Sequence, residues 1–242
     1  MTRKSAAQGR AGDAPAVRAR PTARADDATG RGTARETEAL SQTRTQSRIQ
    51  TRNRQAILDA ALAAFSAHGY AGVTIDRIAA AAGLSKPNVL DYFPSKAAIH
   101  RTLLDGLLDV WLAPLREMDA TGDPLAEILG YMHKKLALSQ SHPRESRLFA
   151  SEILHGAAHL GDVLAGDLAA LVADRAAVIA DWAAAGRIAP VDPQHLIFSI
   201  WALTQHYADF DPQVRAVLGP GHDPYAEAAR FLDQLYRRML AV

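Results

Sequence analysis

The chain of 242 residues has no cysteine. That excludes a disulfide framework and any thiolate metal site, and nothing obliges the protein to occupy an oxidising compartment. Nowhere do ~18 apolar residues run consecutively, so no membrane span is expected. The N-terminus carries scattered arginines but no apolar stretch long enough for a secretory leader. The setting these absences point to is cytoplasmic, without membrane contact. Also missing are a G-x-S-x-G elbow, a phosphate-binding glycine loop and a cysteine nucleophile, so catalysis has no visible carrier and no enzyme or cofactor is expected. No repeat of fixed period stands out, which argues against a solenoid.

Histidines are present, but not at ligand spacing. His195 and His206 share a helical segment eleven residues apart, about 16 Å along the axis, too far to share an ion. His133, His142, His155 and His159 show no tight spacing either, and no metal site is expected.

The net charge of +1 conceals an asymmetry. Residues 1–98 carry 15 Lys/Arg against 8 Asp/Glu, a net of +7, while residues 99–242 carry 12 against 18, a net of −6. The front half suits a polyanion, and the back half would be repelled by one.

From Met1 to about Gln46 large apolar residues are almost absent, so burial cannot offset the entropy of ordering. Residues 1–46 read as a disordered basic arm, either adding non-specific attraction to DNA or without a role. After Ser47 the positions Ile49, Ile57, Leu58, Ala61, Leu62 and Phe65 make one face of a helix that Gly69 ends. Thr74 is placed to cap a short helix through Ala82, and Gly83 stops it. Leu84 is expected as a buried hinge residue. Ser85 caps the next helix, with Pro87 in its first turn, where a missing N–H costs nothing. That helix ends near Phe93, Pro94 breaks the chain, and Ser95 caps a long fourth helix through Leu103, Leu107 and Trp111. Punctuation near residues 122–124, 142–143, 156–162, 190–193 and 219–224 separates further Ala- and Leu-rich segments. The fold class is therefore all-α, with residues 47–94 as a helix-turn-helix unit and 95–242 as a larger helical unit.

Two short helices joined by a glycine turn, with polar residues opening the second, meet the requirement for reading a major groove. Lys86 can reach guanine O6/N7, and Asn88 can pair with adenine N6/N7. Thr74, Ser85, Tyr92 and Lys96 are candidate phosphate anchors. Arg52, Arg54 and Arg77 add charge without reading sequence. The pattern alone is moderately specific, since any three-helix bundle can show it.

The run TIDRIAAAAGLSKPNVLDYFPSK at residues 74–96 resembles the motif of the tetracycline-repressor (TetR) family of regulators without a gap. The resemblance implies a homodimer on double-stranded DNA with a palindromic operator. Each subunit then offers three N-terminal helices to DNA and a larger bundle to a small-molecule effector. It implies too that the ligand changes the separation of the two reading helices, which must sit about 34–36 Å apart. Leu90-Asp91 departs from the family pattern, where aromatic residues or histidine are common; a carboxylate beside phosphate is unfavourable, which puts a phosphate contact by Asp91 in doubt.

Beyond the motif, WLAPL at 111–115, HPRESRLF at 142–149 and DPQHLIFSIWALTQHYADF at 192–210 are similar to regulators of pyrimidine utilisation. That similarity implies a pyrimidine base, uracil or thymine, as effector. Independently, Trp201 and Gln205 are four apart and share a helix face. An indole beside a carboxamide suits a flat ring with an imide edge, and Trp111 could form another wall. Ordinary core packing would explain the same residues. His206 and Tyr207 could line the pocket or pack at a dimer face. Residues 224–240 show a wide apolar face (Tyr225, Ala228, Phe231, Leu232, Leu235, Tyr236, Met239) that could form a four-helix dimer seam or pack on its own core.

Overall fold

Residues 28–242 are described by the computed structural model, with side chains from residue 44 onward, and no strand occurs among them. Helix α1 spans Ala28–His68, α2 Ile75–Ala82, α3 Lys86–Tyr92 and α4 Lys96–Arg116. Then follow α5 Pro124–Ser141, α6 Pro143–Leu154, the single turn α7 Gly161–Val163, a π-turn Leu164–Leu168, and α8 Ala169–Ala184. The last elements are α9 Pro193–Asp209, α10 Asp211–Leu218 and α11 Pro224–Leu240. No helix among the described residues is long and apolar enough to cross a membrane.

The backbone of α1 begins well before the apolar pattern does. Residues 28–46, read from composition as part of a disordered arm, are helical, as their Ala, Arg, Glu and Gln content permits; the rest of that arm, residues 1–27, lies outside the described residues. Ile49, expected on the buried face, is 49% exposed, and Ile57 is the first large side chain of α1 that is fully buried.

The caps follow from single side chains. Thr74 Oγ1 accepts the Arg77 N–H at 3.2 Å, Ser85 Oγ the Asn88 N–H at 3.4 Å, and Ser95 Oγ the Ala98 N–H at 3.1 Å. Each satisfies one of the N–H groups that a helix start leaves without a partner, for about 1 kcal/mol. Gly83 takes φ +68° after α2, and the Leu84 N–H then reaches back to the Ala79 carbonyl at 3.0 Å. An L-residue there would meet the left-handed penalty of about 1–2 kcal/mol. Leu84 itself is only half-buried.

Two apolar clusters organise the described residues. One gathers Ile57, Phe65, Ile78, Val89, Phe93, Ile99 and Leu104 under the short helices. The other joins α5, α8, α9 and α11 through Met132, Ile179, Trp182, Ile200, Leu232 and Tyr236. Helix α4 belongs to both: Ile99, Leu104, Leu108 and Leu112 sit in the first, Leu115 in the second. Burying Ile78 and Val89, each fully enclosed, stabilises the α2–α3 pair by roughly 1.5–3 kcal/mol per side chain.

Candidate DNA interface and effector pocket

Helix α3 buries only Val89 and leaves Lys86, Pro87, Asn88, Leu90 and Asp91 exposed. A single apolar anchor holds the helix on α2 while its polar side chains stand outward. Lys86 Nζ donates to Asp76 Oδ2 at 2.9 Å, with both side chains at least half exposed. An exposed pair of this kind is worth at most about 1 kcal/mol, so a groove can displace Asp76 at small cost. Arg77 also stands exposed, its guanidinium on His68 Nε2 at 2.5 Å, while Arg54 lies 5.0 Å over the Phe93 ring. Thr74 and Ser85 are exposed caps. Tyr92 is half-buried, and its hydroxyl accepts from Asn53 Nδ2 at 3.2 Å, keeping its own O–H available to donate.

Lys96 is placed differently from its expected role. Its ammonium donates to the Tyr70 and Val73 carbonyls at 2.9 Å each and lies 4.1 Å from the Tyr70 ring centroid. It closes the turn between α1 and α2, with one of its three N–H donors left for a phosphate.

In the back half, α6 and α9 border a pocket of about 850 Å³ that Trp201 and Gln205 line together with Arg147, Phe149, Asp209 and Phe210. Trp201 Nε1 donates to the Tyr131 hydroxyl at 2.5 Å, which fixes the indole plane. Asp209 accepts from Ser146 Oγ at 2.6 Å, and Arg147 donates to the neighbouring Ala208 carbonyl at 3.2 Å. Burial pushes the Asp209 carboxyl above its ordinary range, against the pull of Ser146, Arg147, His206 and Lys135. Lys135 is 2% exposed; burial lowers its pKa to about 7, opposed by Asp209.

Trp111 is not on that wall. It is 4% exposed with its Nε1 lacking a hydrogen-bond partner among the described residues, its ring 5.2 Å from the Lys135 ammonium. It borders a separate depression of about 260 Å³ with Leu58, Leu103 and His142. The turn of α4 aims it toward Lys135 of α5 instead.

Matching family models now cover nearly the whole of this architecture. Residues 57–102 match "Bacterial regulatory proteins, tetR family", and residues 104–242 match "YcdC-like protein, C-terminal region". The chain belongs to the TetR family. It is a helix-turn-helix transcriptional regulator of that type, 50% identical over 181 residues to the HTH-type transcriptional regulator RutR of Escherichia coli K12, covering 75% of this chain and 85% of the relative. Among solved structures, a tetR-family regulatory protein from Rhodococcus RHA1 superimposes with a TM-score of 0.63 at 20% identity, covering 78% of this chain and 97% of that one. AibR in complex with isovaleryl coenzyme A and operator DNA superimposes with a TM-score of 0.58 at 20% identity, covering 76% and 97%. At that identity these two speak for the fold alone.

Within this TetR-family frame, sequence reasoning placed the exposed polar face of α3 but missed Lys135, Ser146, Arg147 and Asp209. Ser146 and Arg147 lie in the segment 142–149 and Asp209 in 192–210, whose resemblance to pyrimidine-utilisation regulators was the available signal. Lys135 stands in a helix with other polar residues, and its burial had no marker in the sequence.

Proposed function

We propose that this TetR-type regulator acts as a homodimer on a two-fold operator, and that its effector is a pyrimidine base held in the α6–α9 pocket. The observation that carries the effector reading is the meeting of one fixed indole, Trp201, with the Gln205 carboxamide and the Asp209 carboxyl on a single pocket lining. A pyrimidine-dione offers a flat face for the indole. Its imide edge alternates acceptor, donor, acceptor, which a carboxamide and a carboxyl can complement. RutR, 50% identical, is a regulator of the same type, and the segments that carry the pyrimidine resemblance contribute Arg147, Trp201, Gln205 and Asp209.

The volume of about 850 Å³ favours one second reading, a larger flat heterocycle such as a purine-like metabolite. Calorimetry of the full chain with uracil, thymine and xanthine separates the two. Uracil or thymine should bind best, and Gln205→Ala should weaken binding at least about tenfold, the effect of leaving a buried ligand polar group unpaired. Unchanged uracil affinity in that variant would remove the pocket as assigned.

On the DNA side the reading assigns base contacts to Lys86 and Asn88. Phosphate contacts fall to Thr74, Ser85, Tyr92, Arg54, Arg77 and the third donor of Lys96. The dimer seam is assigned to α9 and α11, where Phe198, Phe231 and Met239 are each 39–58% exposed. Apolar side chains in such number along two helices suit an isologous contact.

A further inference from the structure

Beside the α6–α9 pocket, three separate elements bring His100, Glu152 and His159 together: the second turn of α4, the end of α6, and the loop that follows it. One ligand atom from each lies within 4.8 Å of the others. His159 Nδ1 stands 3.2 and 3.3 Å from the two Glu152 oxygens, and His100 Nδ1 stands 3.9 Å from Glu152 Oε2. The carboxylate is held in place, since its Oε1 also accepts the His159 backbone N–H at 2.7 Å. His100 is 1% exposed and its Nδ1 has no hydrogen-bond partner among the described residues. An orphaned ring nitrogen at that depth is a cost that the fold leaves uncompensated.

We propose that His100, Glu152 and His159 form a binding site for one divalent transition-metal ion of the zinc class. Two imidazoles with one carboxylate are the donor set such ions prefer, whereas magnesium and calcium call for oxygen ligands throughout. Bonds of about 2.0–2.2 Å in tetrahedral geometry place ligand atoms roughly 3.3–3.6 Å apart; the two pairs to Glu152, at 3.2 and 3.9 Å, lie near that spacing, and the His100–His159 pair, within 4.8 Å, closes by side-chain movement. Phe65 and Tyr70 wall the site: ring centroids lie 4.9 Å apart for Phe65 and His100, 4.8 Å for Tyr70 and His100, and 4.7 Å for Tyr70 and His159. On one side the site opens into a cavity of about 520 Å³ that His155 and Ser151 also line, which leaves room for a water as fourth ligand. Sequence spacing pointed away from a metal because the three donors sit on different elements and only the fold collects them.

The ion would tie the α4 turn next to the DNA-reading unit to the end of α6. This assignment does not depend on the effector reading. The test uses the untagged full chain stripped with chelator and titrated with Co²⁺, followed by visible d–d absorption, and with Zn²⁺ by calorimetry. One equivalent per chain should bind with the intense visible band of a low-symmetry, four-coordinate site, and zinc should raise the thermal midpoint because it binds the folded state. His159→Gln, in a partly exposed loop, should weaken binding at least about tenfold while its circular dichroism stays that of the parent chain; Glu152→Gln should do the same, and His195→Gln should bind as the parent does. Absence of stoichiometric binding, or binding unchanged in both His159→Gln and Glu152→Gln, would overturn the site.

Discussion

At the scale of single residues, α3 separates two kinds of contact. Asn88 is exposed in the first turn of the helix, the position proposed for an amide that reads a base edge. Asn88→Ala should cost about 1–3 kcal/mol on the preferred operator while changing little on random DNA. Arg54 is a charge beside Phe93; Arg54→Ala should weaken both DNAs alike and reduce the salt slope by about one. Fluorescence anisotropy at several salt concentrations reads both, and equal loss on both DNAs for Asn88→Ala would deny it a base contact. Lys135 makes a different kind of statement. Its folded pKa of about 7 lies below that of an unfolded lysine, so between pH 7 and about 10 the unfolded chain binds the extra proton and stability rises with pH. Below pH 7 the full penalty of the buried ammonium applies. Lys135→Met should therefore raise the thermal midpoint at pH 7 and flatten its climb toward pH 9, as scanning calorimetry across that range will register; an unchanged pH profile would mean the lysine is not the group responsible.

Among the elements, α9 and α11 each divide their apolar residues between two faces. Ala228, Leu232, Tyr236 and Leu240 of α11 are buried in their own subunit, while Phe231 is 58% exposed. The apolar face of residues 224–240 thus contains a core stripe, as one of the two alternatives had it, and an exposed edge at Phe231 that remains for the proposed seam. Phe231→Asp should shift the sedimentation of the chain from dimer to monomer without loss of helical signal; a dimer that persists would place the seam elsewhere. Elements with capping side chains were legible: Thr74, Ser85 and Ser95 each mark a helix start through a hydrogen bond that the local sequence alone determines. The start of α1 was not, because residues 28–46 carry helix propensity without an apolar stripe. Nor were the π-turn at Leu164–Leu168 and the separation of α10 from α9. The π-turn depends on how α8 meets its neighbours, which leaves no local mark, whereas the break before α10 is marked by Asp211-Pro212 in its first turn and was passed over. The same reasoning covers the sites. The outward face of α3 follows from one period of helix, whereas Trp111 turning toward Lys135, and the approach of His100 to His159, are products of tertiary packing.

Over the whole molecule the charge gradient and the division of the core act together. Residues 1–98, of net +7, are attracted to a polyanion, and residues 99–242, of net −6, are repelled by it. Helix α4 is the member common to both apolar clusters, with Leu108 and Leu112 in one and Leu115 in the other. Neither cluster can melt and leave that helix intact for the other. Heat should therefore dissolve residues 50–242 in one cooperative step, and a destabilising change among the short helices will be felt as lost heat tolerance of the α5–α11 bundle. With the effector site proposed in that bundle, variants selected for altered operator choice carry a hidden burden in effector response.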